Sequence, residues 1–156
     1  MRFAMINRCL IVSCSALFCT SLFAFPCVLT LGKSRCWNDY AVTVTILNAD
    51  KNPNVELAKI TIPKDGPTWQ RKAFTCTPGE KIMYSATFEP TIWEHGKGAV
   101  YMAKHLQILP STPAPDQKAW EVRVCYPTDF AGLPRPAATG NCNCDFKDIP
   151  PLPPRL

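Results

Sequence analysis

Apolar and polar residues alternate along several short stretches of this chain, and this period of two predicts β-strands. In residues 40–47, Val42, Val44 and Ile46 share one face while the threonines between them share the other, as in a strand with one buried face. Similar stretches lie at residues 55–62, 69–76, 81–89, 99–109 and 120–126. The pattern therefore predicts six strands.

Turn-forming residues separate these strands. Asn and Asp cluster in residues 48–54, and Pro and Gly cluster in residues 63–67, where they favour turns. Residues 77–80, Thr-Pro-Gly-Glu, are expected to join the third and fourth strands as a hairpin. Because no helical period supplies the crossovers of a parallel sheet, we expect an all-β fold, an antiparallel β-sandwich of immunoglobulin-like or similar type, with a small barrel as the alternative.

Proline content supports the same fold class. The 156 residues include 16 prolines and seven glycines, and this proline content favours extended segments and turns over helices. The length suits a single domain that buries its own core.

The first 24 residues have the pattern of an export signal. Arg2 and Arg8 precede an uncharged apolar run over residues 9–23, and Ala24 supplies a small residue for cleavage. A retained membrane anchor is the alternative, because the run is near the lower limit of the length that spans a bilayer. We therefore divide the chain into a signal peptide (1–24), a β-sandwich domain (25–146) and a proline-rich tail (147–156).

Removal of the leader would leave six of the nine cysteines. They are Cys27, Cys36, Cys76, Cys125, Cys142 and Cys144. An even number in an exported chain predicts up to three disulfides, although six cysteines allow 15 pairings. A direct Cys142–Cys144 bond would be strained, so we expect these two to tie the tail to different places, with Cys27 and Cys36 as attractive partners.

The closely spaced Cys142 and Cys144, next to Asp145, also suggest a soft-metal site or an exchange-active dithiol. A closed zinc site needs four ligands, and redox catalysts more often carry Cys-x-x-Cys. The chain has neither a second cysteine pair nor that motif. We therefore expect a disulfide-stapled fold with no metal and no cofactor.

Charge and motif content argue against two further classes of function. Loss of Arg2 and Arg8 lowers the formal net charge of +5 by two, and no block of like charge remains, so we expect no nucleic-acid partner. The chain has no Gly-x-Ser-x-Gly motif, and Glu89 and Glu94 are interpreted as solvated loop charges. We expect no catalytic residues and no enzyme.

Aromatic and proline residues supply the candidate contact sites. Trp120 alternates with polar neighbours and is expected in the core, whereas Trp69 and Trp93 neighbour turns and charges, where a ring is free to contact a sugar or a partner.

The tail contains Pro-x-x-Pro-x-Arg, which favours polyproline II and suits either an SH3-type groove or a stiff arm on a neighbouring subunit or on its own domain. We prefer the arm. Its candidate contact residues are Pro150, Pro151, Pro153, Pro154 and Arg155.

Three stretches carry a resemblance to a known group of proteins. They are residues 36–40 (Cys-Trp-Asn-Asp-Tyr), residues 87–94, and residues 120–127 leading to 140–145 (Gly-Asn-Cys-Asn-Cys-Asp). The chain resembles small cysteine-containing periplasmic proteins of intracellular bacteria, a group that includes accessory subunits of type IVB secretion-system outer-membrane complexes. The resemblance implies a non-catalytic envelope protein within a larger assembly and assigns no residue a role.

These observations together predict a non-enzymatic periplasmic protein that is a structural or accessory subunit of a secretion-type envelope complex. Its partners would be other envelope proteins, and its membrane association only indirect. The alternative is a secreted or periplasmic module that binds glycan or peptidoglycan through Trp69 and Trp93.

Overall fold

A computed structural model of the chain describes residues 24–51, 54–92, 96–134 and 142–152. The strands are β1 (Phe25–Lys33), β2 (Ala41–Asn48), β3 (Val55–Ile62), β4 (Trp69–Cys76), β5 (Lys81–Glu89), β6 (Tyr101–Met102), β7 (Gln107–Ile108) and β8 (Trp120–Tyr126). A short 3-10 helix, Arg35–Trp37, follows β1. Over these residues, no helix is both long enough and apolar enough to span a membrane.

The strands form two sheets that pack face to face. The smaller sheet has the order β4-β1-β8, and the larger has the order β3-β2-β5-β6, with β7 also paired to β5. Side chains from both inner faces form one shared core, as expected when two half-apolar sheets cover each other. The predicted all-β, disulfide-stapled sandwich is therefore confirmed.

One-sided burial explains why the alternating segments were predictable. On β2, Val42, Val44 and Ile46 are fully buried, while the threonines between them are half-buried. On β8, Trp120 and Val122 are buried and Arg123 is exposed. The prediction that Trp120 fills the core is confirmed.

β1 is the long strand that the alternation did not predict. Every residue from Cys27 to Lys33 is buried, because the sandwich core covers one face of β1 and the C-terminal segment covers the other. A strand buried on both faces reads as a continuous apolar run and loses its period of two. β1 also pairs in parallel with β8, so the smaller sheet is mixed where a purely antiparallel one was expected.

The predicted hairpin between β4 and β5 is wrong. β4 pairs with β1 and β5 pairs with β2, so residues 77–80 connect the two sheets. Cys76, the last residue of β4, is disulfide-bonded to Cys27 of β1, which holds the end of β4 in the smaller sheet. The predicted strand at 99–109 is interrupted. Ala103 still donates to Tyr84 O of β5 and also bridges Phe130, but residues 104–106 leave the ladder, so β6 and β7 are separate two-residue strands.

All six predicted cysteines form disulfides. The pairs are Cys27–Cys76, Cys36–Cys142 and Cys125–Cys144. The expected partnership of Cys36 with the tail is confirmed, whereas that of Cys27 is wrong. Cys27 lies opposite Phe74 of β4, and Cys76 shares the face of Phe74 two residues further on, within reach of Cys27.

We predict that the two disulfides of the C-terminal segment differ in their contribution to stability. Cys36–Cys142 joins residues 106 apart and Cys125–Cys144 joins residues 19 apart. Because a longer closed loop removes more entropy from the unfolded chain, replacing the first pair with serines should cost about 4 to 5 kcal/mol and replacing the second about 3 kcal/mol. Denaturant unfolding of the two double variants measures this difference. Equal losses would contradict the loop-entropy explanation.

Candidate functional site

The C-terminal strap, residues 142–152, lies across the outer face of the smaller sheet. Cys142 and Cys144 attach it to the 3-10 helix and to β8, respectively. Gly32 of β1 lies directly under the strap, because a Cβ at this position would be 3.1 Å from both Cys144 Cβ and Phe146 Cζ. A methyl group at residue 32 would therefore be too close to the strap unless Cys144 and Phe146 shifted slightly.

Arg71 of β4 brings together three of the residues predicted to contact partners. Its guanidinium donates hydrogen bonds to the carbonyl oxygens of Pro150 and Pro151 and lies 5.4 Å from the ring centroid of Trp69, a cation–π distance. Ile149, just before these prolines, is buried. In its described part, the predicted arm thus lies on its own domain, and its first prolines are held by a residue that sequence reasoning did not select.

Glu121 of β8 is the acceptor at the centre of the same surface. It receives hydrogen bonds from Thr30 Oγ1 at 2.6 Å, Arg71 Nη2 at 3.0 Å and Arg123 Nε at 2.9 Å. Burial alone would raise the pKa of the Glu121 carboxyl, but hydrogen bonds from Thr30, Arg123 and Arg71 outweigh burial and hold the pKa below its usual 4.5. Thr30 is fully buried and also accepts from Arg71 Nε at 3.1 Å.

A polar cleft of about 330 Å³ opens where the strap meets the adjoining ends of β1 and β4. Its lining residues are Lys33, Arg35, Thr68, Trp69, Asn143, Asp145 and Asp148. The first four belong to the sandwich and the last three to the strap, so the cleft exists only when the strap is in place. Carboxylates, cations and one indole therefore meet in one concave surface.

Lys33 is the one buried residue among the charged residues that line this cleft. Its side chain is buried, and Nζ donates to the carbonyl oxygens of Tyr40 at 3.2 Å and Pro63 at 2.8 Å. Burial lowers the pKa of Lys33 below 10.5, although Asp65 and Asp39 oppose this shift. The ammonium thus joins two backbone segments of the sandwich, at Tyr40 and Pro63, which do not line the cleft.

The structure places the other predicted contact residues as follows. Trp69 is half-buried, and Pro150 and Pro151 are exposed. The remaining four lie outside the described residues; they are Trp93, Pro153, Pro154 and Arg155. Sequence reasoning missed Arg35, Asp145 and Asp148 as cleft residues, and the available signal was that Arg35 and Asp145 each adjoin a disulfide-bonded cysteine.

Comparisons of the chain with protein-family models, with curated proteins and with solved structures find no match.

We predict that Glu121→Gln lowers stability at neutral pH and flattens its dependence on acid. Because the pKa of Glu121 is depressed on folding, its stabilising effect is complete above pH 4.5, the unfolded value, and disappears as pH falls through the lower folded value. Loss of the charge-assisted hydrogen bonds should cost about 2 kcal/mol at pH 7. Unfolding free energies of both proteins, measured between neutral and strongly acidic pH, should converge at the acidic end. If the two unfolding free energies differed by the same amount at every pH, the lowered pKa of Glu121 would not be the source of the stabilisation.

Proposed function

We propose that this chain is a non-catalytic periplasmic protein that acts as a structural or accessory subunit of an envelope complex through contacts with other proteins. Three disulfides support an oxidising compartment outside the cytoplasm. The export-signal pattern of residues 1–24 supports the same compartment. The resemblance to periplasmic proteins of secretion-type assemblies supports the choice of periplasm over secretion.

A row of exposed apolar side chains carries the proposal of protein contacts. Among the described residues, six large apolar side chains are exposed, and four of them fall within nine consecutive positions. These four, which we call the apolar edge, are Val100, Met102, Leu106 and Ile108, with exposed fractions of 57%, 37%, 47% and 62%. Isolated apolar side chains are normal on a protein surface, whereas a cluster of this kind marks an interaction site.

The apolar edge presents exposed side chains to a partner, whereas its backbone hydrogen-bonding groups are partly occupied. It lies on and beside β6 and β7, the two short strands paired to β5. The far side of β6 is already occupied, because Ala131 N donates to Met102 O at 2.9 Å and Ala103 bridges Phe130. A partner would therefore bind by burying these side chains, which favours a hydrophobic contact with a polar rim over addition of a strand.

The proline-rich tail supplies a second contact. Arg71 holds the carbonyl oxygens of Pro150 and Pro151 on the domain, and the sequence continues as Pro153-Pro154-Arg155-Leu156. Proline residues lose little entropy when they are ordered against a partner. A proline-rich extension that starts from a fixed point on the domain suits binding to a neighbouring subunit.

We predict that the double substitution Leu106→Glu and Ile108→Glu removes the protein from its envelope complex. Burying two carboxylates in a hydrophobic contact should weaken association at least about tenfold. The measurement is the native size of the protein after gentle solubilisation, with crosslinking and mass spectrometry of the same fraction.

Val55→Glu is the matched control for this experiment. Val55 is 50% exposed and lies on β3, at the opposite edge of the same sheet. The control should leave complex size unchanged. If both proteins stay folded and remain in the complex equally well, the apolar edge is not the contact.

We predict that ending the chain after Leu152 weakens partner association while leaving stability unchanged. The truncation removes only residues 153–156, whereas a cut before Ile149 would also remove a buried side chain and both acceptors of Arg71. Unfolding free energy and recovery in the envelope complex should be measured on the same truncated protein. Full recovery in the complex would exclude the tail as a contact.

A further inference from the structure

We propose that the polar cleft under the strap is a binding site for a neutral saccharide. This site is separate from the apolar edge and does not depend on the envelope-subunit proposal.

Two disulfides fix the walls of the cleft relative to each other. Cys36–Cys142 joins the residue after Arg35 to the residue before Asn143, and Cys125–Cys144 holds the residue before Asp145. Arg35 on one wall and Asn143 and Asp145 on the other thus adjoin covalent links between strap and sandwich. A site fixed in advance loses little entropy on binding, which favours recognition of a small ligand by few contacts.

The lining offers hydrogen-bond donors and acceptors in one place. The carboxylates of Asp145 and Asp148 accept, the guanidinium of Arg35 donates, and the Thr68 hydroxyl does either. Sugar hydroxyl groups also donate and accept, so they match a mixed lining. A ligand of one charge sign matches this lining less well, because a phosphate would face two carboxylates and a basic peptide would face the guanidinium of Arg35.

Trp69 supplies the apolar part of the recognition. The negative face of an indole attracts the C–H groups on one side of a sugar ring. Trp69 is half-buried in the cleft wall, and the Arg71 guanidinium at 5.4 Å from its ring centroid supports its position. Arg71 is in turn fixed by Glu121 and by the strap.

The size of the cleft limits the ligand. A volume of about 330 Å³ is at the lower end of the range for small-molecule sites, roughly 300 to 1,000 Å³, which corresponds to about one or two sugar rings. The cleft is open to solvent, so one or two sugar rings of a longer glycan could enter it while the rest of the glycan stays outside.

Titration of the oxidised, full-length protein with defined saccharides tests this inference. The probes are N-acetylglucosamine oligomers, maltotriose and soluble peptidoglycan fragments, followed by calorimetry and by Trp fluorescence. We expect one probe class to bind, and Asp145→Asn and Trp69→Leu each to raise its Kd at least about tenfold. Asp145→Asn keeps an oxygen that can accept from Lys147 N, its partner in the structure.

Two further variants provide the controls. Asp116→Asn makes the same chemical change at an exposed loop position outside the cleft lining and should leave the Kd unchanged. Leu106→Glu with Ile108→Glu should retain saccharide binding while losing the envelope partner, which separates failure of one proposal from failure of the other. A charged peptide free of sugar is titrated as a further probe. The proposal is overturned if no saccharide binds at about 10 mM, if Asp145→Asn and Trp69→Leu bind saccharide like wild type, or if the charged peptide is the only probe that binds.

Discussion

β1 lies in the middle of a three-stranded sheet, and both of its faces are buried. Cys27, Leu29 and Leu31 face the sandwich core, so the other face needs a cover of its own. The strap provides that cover with little regular secondary structure. The contacts of such a segment do not by themselves offset the conformational entropy lost when it is ordered. The two disulfides of the strap therefore replace the backbone pairing that would otherwise hold a covering layer in place.

Burial under the strap also determines the electrostatics of this surface. Thr30 and Glu121 lie on the outer face of the smaller sheet, where an open sheet would leave them in water. Once covered, they require internal partners, and Arg71 satisfies both while also bonding the strap itself. One guanidinium thus links sheet, strap and Trp69, and the cleft beside it depends on this arrangement.

The sheet edges differ in how they are protected. β3 and β4 carry exposed Lys59 and Lys72, respectively, and charged edge strands resist unwanted pairing. The edge formed by β6 and β7 instead exposes large apolar side chains, and its backbone is partly covered by residues 130–131. Protection of the backbone combined with exposure of apolar side chains favours a specific contact over strand-to-strand aggregation.

Local patterns in the chain were enough to predict the class of fold, most of the alternating strands and an upper limit of three disulfides. β2, β5 and β8 bury one face each, so their periodicity survives in the residues, and an even cysteine count predicts pairing without naming the pairs. β1 shows no alternation in the sequence, because both of its faces are buried. The Thr-Pro-Gly-Glu turn at residues 77–80 is compatible either with a hairpin or with a connection between two sheets. The pairing of Cys27 with Cys76 follows from strand register, and the cleft joins residues 33–35, 68–69 and 143–148. These features come from the folded arrangement, because they depend on contacts between distant segments that no local pattern records.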